Sequence, residues 1–141
     1  MGSEMCIRDR LSSFGAGSGF LGIPGDVTPP SRFIRAAFYQ TSSPQKETAI
    51  EAVIQSFHIL NNFDIPIGIE FSESETPTDI PSATQWTSST DLTHRVIYYR
   101  TMYNSDIRCI DLKAIDFNRV KYQAVPLDLI KQQPIQPVRI N

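Results

Sequence analysis

The sequence predicts an α+β fold, with one main amphipathic helix followed by a meander of antiparallel strands. Apolar residues recur at spacings of three and four between residues 42 and 63, which is the period of a helix. After residue 83, short runs rich in β-branched and aromatic residues alternate with turn residues, which is typical of antiparallel strands. A length of 141 residues with 40% hydrophobic content indicates a single globular domain.

The first part of the chain predicts a loop and then a strand. Residues 11–31, "LSSFGAGSGFLGIPGDVTPPS", are rich in glycine and proline, so we predict no packed element there. Residues 32–40, "RFIRAAFYQ", place apolar side chains on both sides of an alternating pattern. A strand covered on both faces has this pattern, and we therefore predict a buried strand.

The main helix is predicted within residues 42–63, "SSPQKETAIEAVIQSFHILNNF". Ser43 suits the N-cap and Pro44 the first helical position. One apolar stripe suited to packing on a sheet is formed by Ala49, Ile50, Val53, Ile54, Phe57 and Leu60. His58 lies beside this stripe, and we predict that it is a partly buried structural residue.

Three strands are predicted after a loop at residues 64–82. They are "ATQWTSST" at 83–90, "RVIYYRTMY" at 95–103 and "IRCIDL" at 107–112, with turns at "DLTH" and "NSD". The remainder of the chain predicts one more short strand and then a proline-spaced tail. In the third strand Cys109 is flanked by isoleucine and arginine, and we predict that it is a small buried hydrophobic residue.

Composition argues against several kinds of partner. The net charge is -2 and the pI is about 5.6, with acidic and basic residues interspersed, so we predict no nucleic-acid partner and no membrane partner. No apolar run approaches the roughly 20 residues that span a bilayer. The two cysteines, at positions 6 and 109, form neither a disulfide framework nor a clustered metal site. We predict no cofactor and no metal.

A glycine pattern in the loop is compatible with nucleotide binding only in a different context. Gly17, Gly19 and Gly22 satisfy G-x-G-x-x-G. That motif cradles a phosphate only between a strand and the start of a helix. Here "LSSF" is a poor strand and "IPGDVTPPS" disfavours a helix directly after the glycines, so we predict no nucleotide site.

Arg32 and Arg35 place two guanidinium groups in an otherwise apolar run. Desolvating a charge has a cost that a partner must offset. One interpretation is a structural ion pair. The other is that one of the two arginines faces a cleft and holds an anionic or polarised group.

Three blocks of the sequence carry a resemblance to a known family. They are "GIPGDVTPPSRFIRAAF", "AIEAVIQSFHILNNFDIPIG" and "TQWTSSTDLTHRVIYYRTMYNSDIRCIDL". In order and spacing they are similar to the C-terminal part of the choloylglycine hydrolase family, the bile salt hydrolases and penicillin V acylases. The resemblance implies an N-terminal nucleophile hydrolase with an αββα sandwich, a small-molecule amide substrate, a linear amide C-N bond as the target and a homo-oligomeric parent. It also places the arginine of the family's "PSRF" segment at Arg32, beside the nucleophile, where a cation favours the thiolate.

The start of the chain departs from the family pattern. In the family the nucleophile is the first residue of the mature chain, and a long N-terminal half separates it from the G-x-P-G-D loop. Cys6 stands too close to that loop to be this nucleophile. "MCIRD" is also what ATG TGT ATA AGA GAC encodes, which resembles a transposon-based sequencing adaptor. We therefore expect residues 1–10 to be an artefact and residues 11–141 to be the C-terminal part of the domain.

The hypothesis from the sequence is a fragment of a cysteine amidase that is inactive alone because its nucleophile is missing. The alternative is a non-catalytic, antiparallel-sheet module that binds a partner through exposed edges. The sequence leaves open whether the substrate is a conjugated bile salt, penicillin V or another acyl amide. It also leaves open whether such a bacterial enzyme is periplasmic or cytoplasmic.

Overall fold

A computed structural model describes residues 17–69, 75 and 83–140 of the chain. Its regular elements are the helices α1 (Pro29–Ser42) and α2 (Ala49–Leu60) and the strands β1 (Trp86–Asp91), β2 (Val96–Thr101) and β3 (Asn104–Asp111). Short 3-10 turns lie at Ser18–Phe20, Asn61–Phe63 and Leu112–Ala114. The chain divides into two units, residues 1–43 and residues 44–141, and each is described by itself.

Helix α1 occupies the segment for which a buried strand was predicted, so that prediction is wrong. The helix starts at Pro29, and Pro30 follows it. Proline is favoured in the first turn because its fixed φ suits the helix and its missing N–H would have no intrahelical partner there. The predicted loop at residues 11–31 accordingly ends three residues early, at Thr28. A nine-residue run with apolar side chains on every face satisfies both periods, and the pair of prolines was the signal that favoured a helix.

The first unit also holds a small aromatic cluster. The ring of Phe20 lies 4.8 Å from the ring of Phe38, edge to face, and 5.7 Å from that of Tyr39. Contacts of this kind add modestly to the area that aromatic rings bury. They attach the 3-10 turn at Ser18–Phe20 to the second half of α1.

Helix α2 confirms the predicted helix but begins five residues later than predicted. Thr48, rather than Ser43, is the N-cap: its hydroxyl accepts a hydrogen bond from the amide of Glu51, and the Glu51 side chain accepts one from the amide of Thr48. This reciprocal capping box satisfies two amides that a helix start leaves free. Ser43 instead ends α1, where its amide donates to the carbonyl of Tyr39.

The three strands form one antiparallel sheet in the order β1-β2-β3, as the meander predicted. In the register Ser89 lies opposite Tyr98, and Tyr98 lies opposite Cys109. The loop between β1 and β2 spans residues 92–95. The turn had been predicted at residues 91–94, one residue earlier. The predicted second turn at residues 104–106 is wrong, because those residues belong to β3 and the chain reverses at Met102 and Tyr103.

One side of the sheet packs on α2 near β1. Ser56 of α2 donates a hydrogen bond to Ser89 of β1 at 2.8 Å. Among the described residues, the buried apolar side chains are Val53 and Phe57, both on α2. Ile50 and Ile54 of the predicted stripe are 53% and 44% exposed, so half of that stripe is uncovered in this part of the chain.

Two predicted burials are wrong. Cys109 is a free, exposed cysteine, because β3 is at the edge of the sheet and α2 packs against β1. His58 is exposed because it lies about 100° around the helix from the buried Phe57, on the same side as the exposed Ile54.

The tail of the chain runs without helix or strand over residues 115–140, so the additional short strand is not formed there. Arg108 of β3 attaches this tail: it donates to Asp128 Oδ1 at 2.7 Å and to the carbonyl of Leu127 at 2.8 Å. No helix within the described residues is long and apolar enough to span a membrane.

Residues 1–10 lie outside the described residues, and we propose that they are not part of the domain. Deleting them is expected to change the free energy of unfolding by less than about 0.5 kcal/mol, because they carry no apolar stripe that could be buried. Chemical denaturation of the chain with and without the ten residues measures this. A loss of several kcal/mol would show that they pack on the domain.

Candidate functional site

The candidate site is centred on Arg32 in the first turn of α1. Its amide donates to the carbonyl of Thr28 at 3.0 Å, which is the bond that opens the helix. Its side chain is partly exposed, and the guanidinium has no hydrogen-bond or ion-pair partner among the residues that the structure describes. Arg32 therefore presents a positive charge that this part of the chain does not neutralise.

The carboxylate of Asp26 organises the segment just before the helix. Oδ1 accepts hydrogen bonds from the amide of Thr28 at 2.9 Å and from its hydroxyl at 2.5 Å. Oδ2 accepts one from the hydroxyl of Ser31 at 2.6 Å. The Thr28 hydroxyl thus serves Asp26 and makes no capping bond to an amide of α1. A negative charge near a helix N-terminus is favourable by itself.

These hydrogen bonds determine the charge of Asp26. Bonds from Ser31 and then from Thr28 stabilise the carboxylate and lower the pKa of Asp26 from 3.8 to about 2. Asp26 is therefore ionised throughout the neutral and mildly acidic range.

Arg35 holds the same loop from the other side. Its Nη1 donates to the carbonyl oxygens of Pro24 at 2.8 Å and Asp26 at 2.7 Å, and the residue is 8% exposed. Main-chain carbonyls are thus among the partners of Arg35. The sequence had suggested either an ion pair or an arginine facing a cleft, and neither interpretation included such partners. The guanidinium fork suits this arrangement because one group reaches two acceptors.

The helix changes the expected relation between the two arginines. A strand would point residues three apart to opposite faces, whereas a helix places them about 60° apart around its axis. Ser31 and Arg35, four apart, share the buried side of α1. Arg32 lies at the edge of that side and is less buried than Ser31 and Arg35.

This arrangement is suited to binding or stabilising an anion. The side chain of Arg32 extends from a backbone position that the anchored first turn holds in place. A guanidinium is charged at all physiological pH values. The positive charge of this guanidinium would stabilise a bound carboxylate, or a thiolate formed nearby. Sequence reasoning identified Arg32 but did not identify Asp26 and Ser31. The available signal was "DVTPPS", in which residues with short polar side chains precede and follow the two prolines.

The acid dependence of this anchor is predictable. A carboxyl group whose pKa is lowered by folding stabilises the fold above its unfolded pKa, and the stabilisation disappears as the pH falls through the folded value. For Asp26 the change is expected between about pH 4 and pH 2. Titration of its carboxyl carbon by NMR measures this pKa. Ser31→Ala removes the strongest contribution and is expected to raise the pKa of Asp26, whereas Ser43→Ala, at the other end of α1, leaves it unchanged.

The glycine pattern before the site does not open a helix. Gly17 and Gly22 have φ of +90° and +86° and flank the 3-10 turn at Ser18–Phe20. Only glycine adopts such φ values at little cost. Helix α1 begins seven residues after Gly22, so no helix N-terminus lies where the motif would bring a phosphate.

Several charged groups of the second unit are paired with each other. Arg100 donates to Asp64 at 2.5 Å, and His94 Nδ1 lies 2.6 Å from Asp91. The amide of His94 and then its ring lower the pKa of Asp91. These pairs fix the segment before β1 and the β1–β2 loop. No group of three metal-ligating side chains occurs among the described residues.

A cleft of about 520 Å³ lies beside the pair formed by Arg108 and Asp128. Hydrogen bonding by Thr101, and then by Arg108, lowers the pKa of Asp128. Arg108 also lies 4.8 Å from the centroid of the Tyr99 ring. Because its charge is matched by Asp128 and stacked on the ring, Arg108 functions here as the anchor of the tail.

Neither cysteine is placed as a nucleophile by the structure. Cys109 is exposed on β3, and the sheet register places it beside Tyr98. It belongs to the second unit, whereas Arg32 belongs to the first. Cys6 lies outside the described residues.

Comparison with known proteins identifies a family. The sequence profile of "Linear amide C-N hydrolases, choloylglycine hydrolase family" matches residues 3–124. A bile salt hydrolase/transferase from Clostridium perfringens is 36% identical over 113 residues, which are 79% of this chain and 33% of that protein. The chain therefore spans about a third of the length of this relative.

Two solved structures resemble the fold. A crystal structure of a mutant conjugated bile acid hydrolase from Clostridium perfringens matches with a TM-score of 0.68 and 32% identity, over 92% of this chain and 37% of that one. Penicillin V acylase from Agrobacterium tumefaciens matches with a TM-score of 0.56 and 26% identity, over 70% of this chain and 30% of that one. These likenesses confirm the predicted α+β class and the N-terminal nucleophile hydrolase fold.

Proposed function

Because the chain belongs to the choloylglycine hydrolase family of linear amide C-N hydrolases, we propose that it is the C-terminal part of a cysteine amidase. In the reaction a thiolate outside residues 11–141 forms a bond to the amide carbonyl carbon. The C-N bond breaks and the amine leaves with a proton. Water then hydrolyses the thioester and restores the thiol. Arg32 lies beside the sulfur and stabilises its anionic form.

The observation that carries this proposal is the guanidinium of Arg32. It has no described partner, although it lies in a turn that five hydrogen bonds from Thr28, Ser31 and Arg35 hold in place. A structural arginine is normally paired. An anchored but unpaired one is suited to a charge that another part of the protein supplies.

Exposed apolar groups support the proposal that more protein covers these elements. On α1, Phe33 is 74% exposed and Ile34 is 48% exposed, directly beside Arg32. On α2, only Val53 and Phe57 are buried among the apolar residues of the described chain. A domain of this length ordinarily buries a much larger core. We propose that the part of the enzyme corresponding to the two thirds of the relative that this chain does not match covers these exposed apolar side chains.

The substrate we propose is a small acyl amide such as a conjugated bile salt, because the relative from Clostridium perfringens is a bile salt hydrolase/transferase. Penicillin V is the second substrate to test, since the similar fold from Agrobacterium tumefaciens is a penicillin V acylase. The complete enzyme is proposed to be a homo-oligomer.

The test joins residues 11–141 to the N-terminal part of the Clostridium perfringens bile salt hydrolase that this chain does not match. This chimaera is expected to hydrolyse conjugated bile salts or penicillin V, whereas the chain alone is expected to hydrolyse neither. Release of the amine measures both. Activity of the chain alone that Cys109→Ser abolishes would contradict the proposal, and so would a folded but inactive chimaera.

The exposure of β3 favours one other candidate, a non-catalytic module that binds a partner through the sheet. Ile107 and Ile110 of this edge strand are 44% and 38% exposed, and an open edge pairs readily with another strand. A chimaera that is inactive and a chain that elutes with a partner bound to β3 would favour this module.

A further inference from the structure

We propose that Asp26 and Arg35 are positioning residues for Arg32, and that together they fix where its guanidinium lies. This inference rests on the proposed function, because it concerns how the cation reaches the reacting sulfur. The carboxylate acts through Thr28 and Ser31, and the buried guanidinium acts on the main chain of residues 24–26. Neither group is proposed to touch the substrate.

The first link runs from Asp26 to Arg32 through Thr28. Asp26 Oδ1 accepts from both the amide and the hydroxyl of Thr28, and the carbonyl of Thr28 accepts from the amide of Arg32. Two hydrogen-bonded steps therefore connect the carboxylate with the backbone of Arg32. Asp26 Oδ2 adds a second connection through Ser31, the residue directly before Arg32.

The second link closes the arrangement from the other side. Arg35 lies one turn further along α1, and its Nη1 donates back to the carbonyl of Asp26 and to that of Pro24. Loop and helix are thus joined in a ring of hydrogen bonds in which Arg32 lies between the two attachments. A rotation or slide of α1 against the loop would break at least one of these bonds.

The prolines make the side-chain bonds important. Pro29 and Pro30 have no N–H, so the first two positions of α1 contribute no donor that could hold the helix start to the loop. The orientation of the first turn depends on Thr28, Ser31 and Arg35 instead. Burial supports this role, since Ser31 and Arg35 are each 8% exposed while Arg32 is less buried.

The geometry separates this role from a general contribution to folding. A misplacement of about 1 Å at a catalytic group costs on the order of a hundredfold in rate. A residue that acts only through Arg32 should have no further effect once Arg32 is gone. A residue that only stabilises the fold should act equally with and without Arg32.

The experiment uses the chimaera with Asp26→Asn, Arg35→Met and Arg35→Lys, each alone and combined with Arg32→Ala. Asp26→Asn and Arg35→Met are expected to lower kcat on the order of ten- to a hundredfold with little change in KM. The acid limb of the pH profile should move to higher pH, as in Arg32→Ala, because the thiolate loses part of its cation. Arg35→Lys should recover part of the loss, and the double variants should be no slower than Arg32→Ala.

Matched controls are Asp116→Asn and Arg119→Met. These residues form an exposed pair in the second unit with an N–O distance of 3.4 Å, so their variants change the charge equally at positions remote from Arg32 in sequence. Ser31→Ala removes one hydroxyl and serves if the other variants fail to fold; a fall of a few-fold in kcat at unchanged melting temperature is expected.

Three outcomes would overturn the inference. They are an unchanged kcat and pH profile in folded Asp26→Asn and Arg35→Met, losses that add fully to that of Arg32→Ala, and no recovery by lysine together with a large loss of stability. Full activity of Arg32→Ala would instead contradict the proposed function itself, so the two failures are distinguishable.

Discussion

Replacing Arg32 with alanine is expected to lower the turnover of the chimaera by a hundredfold or more. A preorganised charge-stabilising group is worth about 2.7 to 4 kcal/mol in a site that excludes water. At 1.36 kcal/mol for each factor of ten, this range corresponds to a rate loss on the order of a hundred- to a thousandfold. The thiolate that Arg32 favours should also form only at higher pH.

The same change should have little effect on folding. The Arg32 guanidinium has no described partner, so its removal breaks no hydrogen bond in this part of the chain, and the cost should stay within about 0.5 kcal/mol. Values of kcat and KM measured beside melting curves separate the two effects. Arg119→Ala is the matched control, since its side chain is 89% exposed and remote in sequence. Equal turnover in Arg32→Ala and the unmodified chimaera would remove Arg32 from the mechanism.

The contrast between Arg32 and Arg35 shows what sequence periodicity could and could not provide. Both arginines were recognisable as charges in an apolar run. Their relative direction depended on the element, and the strand interpretation sent Arg35 to the opposite face. In α1 the two are neighbours, and Arg35 is the buried one. Comparing "TPPS" with the rules for a helix start would have favoured α1, because a proline pair is tolerated in a first turn and not in a central strand.

The predictions that succeeded depended on local pattern. Helix α2 has about three turns of apolar spacing and a strong cap. Strands β1 to β3 are short, rich in β-branched and aromatic residues and separated by turn residues. Such signals survive without knowledge of the tertiary fold. The helix cap and the second turn were predicted at the wrong residues. Thr48, with Glu51, caps α2 in place of Ser43. The residues "NSD" belong to β3, and the chain reverses before them, at Met102 and Tyr103.

Burial was less predictable because it depends on which neighbour covers a residue. Cys109 has an alternating apolar setting, but the helix that covers the sheet lies over β1 rather than β3. The anchor at Asp26 was missed for a related reason. Its partners are 2 to 9 residues away and meet only because the loop folds back onto α1. The local pattern drew attention to Arg32 and Arg35 alike, and only the family resemblance singled out Arg32.

The second large expected effect is on stability, and it concerns the buried half of the apolar stripe on α2. Phe57→Ala is expected to cost about 3 to 5 kcal/mol, because it removes a buried aromatic side chain and leaves a cavity. Phe57 is 4% exposed, and with Val53 it forms the buried apolar contact between α2 and the sheet in the described part of the chain. The guanidinium carbon of Arg100 also lies 5.8 Å from the centre of its ring, so the change removes a cation–π contact as well.

Ile54→Ala is the matched control for this prediction. Ile54 belongs to the same predicted stripe of α2, three residues before Phe57, but it is 44% exposed. Little apolar area is lost there, and alanine has the higher helix propensity, so the expected cost is below about 1 kcal/mol. Urea denaturation followed by circular dichroism measures both variants in the chain as it is. Equal losses at the two positions would mean that Ile54 is as fully covered as Phe57. A repeat in the chimaera then tests the proposed cover directly: if the missing part of the enzyme lies over Ile54, the cost of Ile54→Ala should rise there towards that of Phe57→Ala.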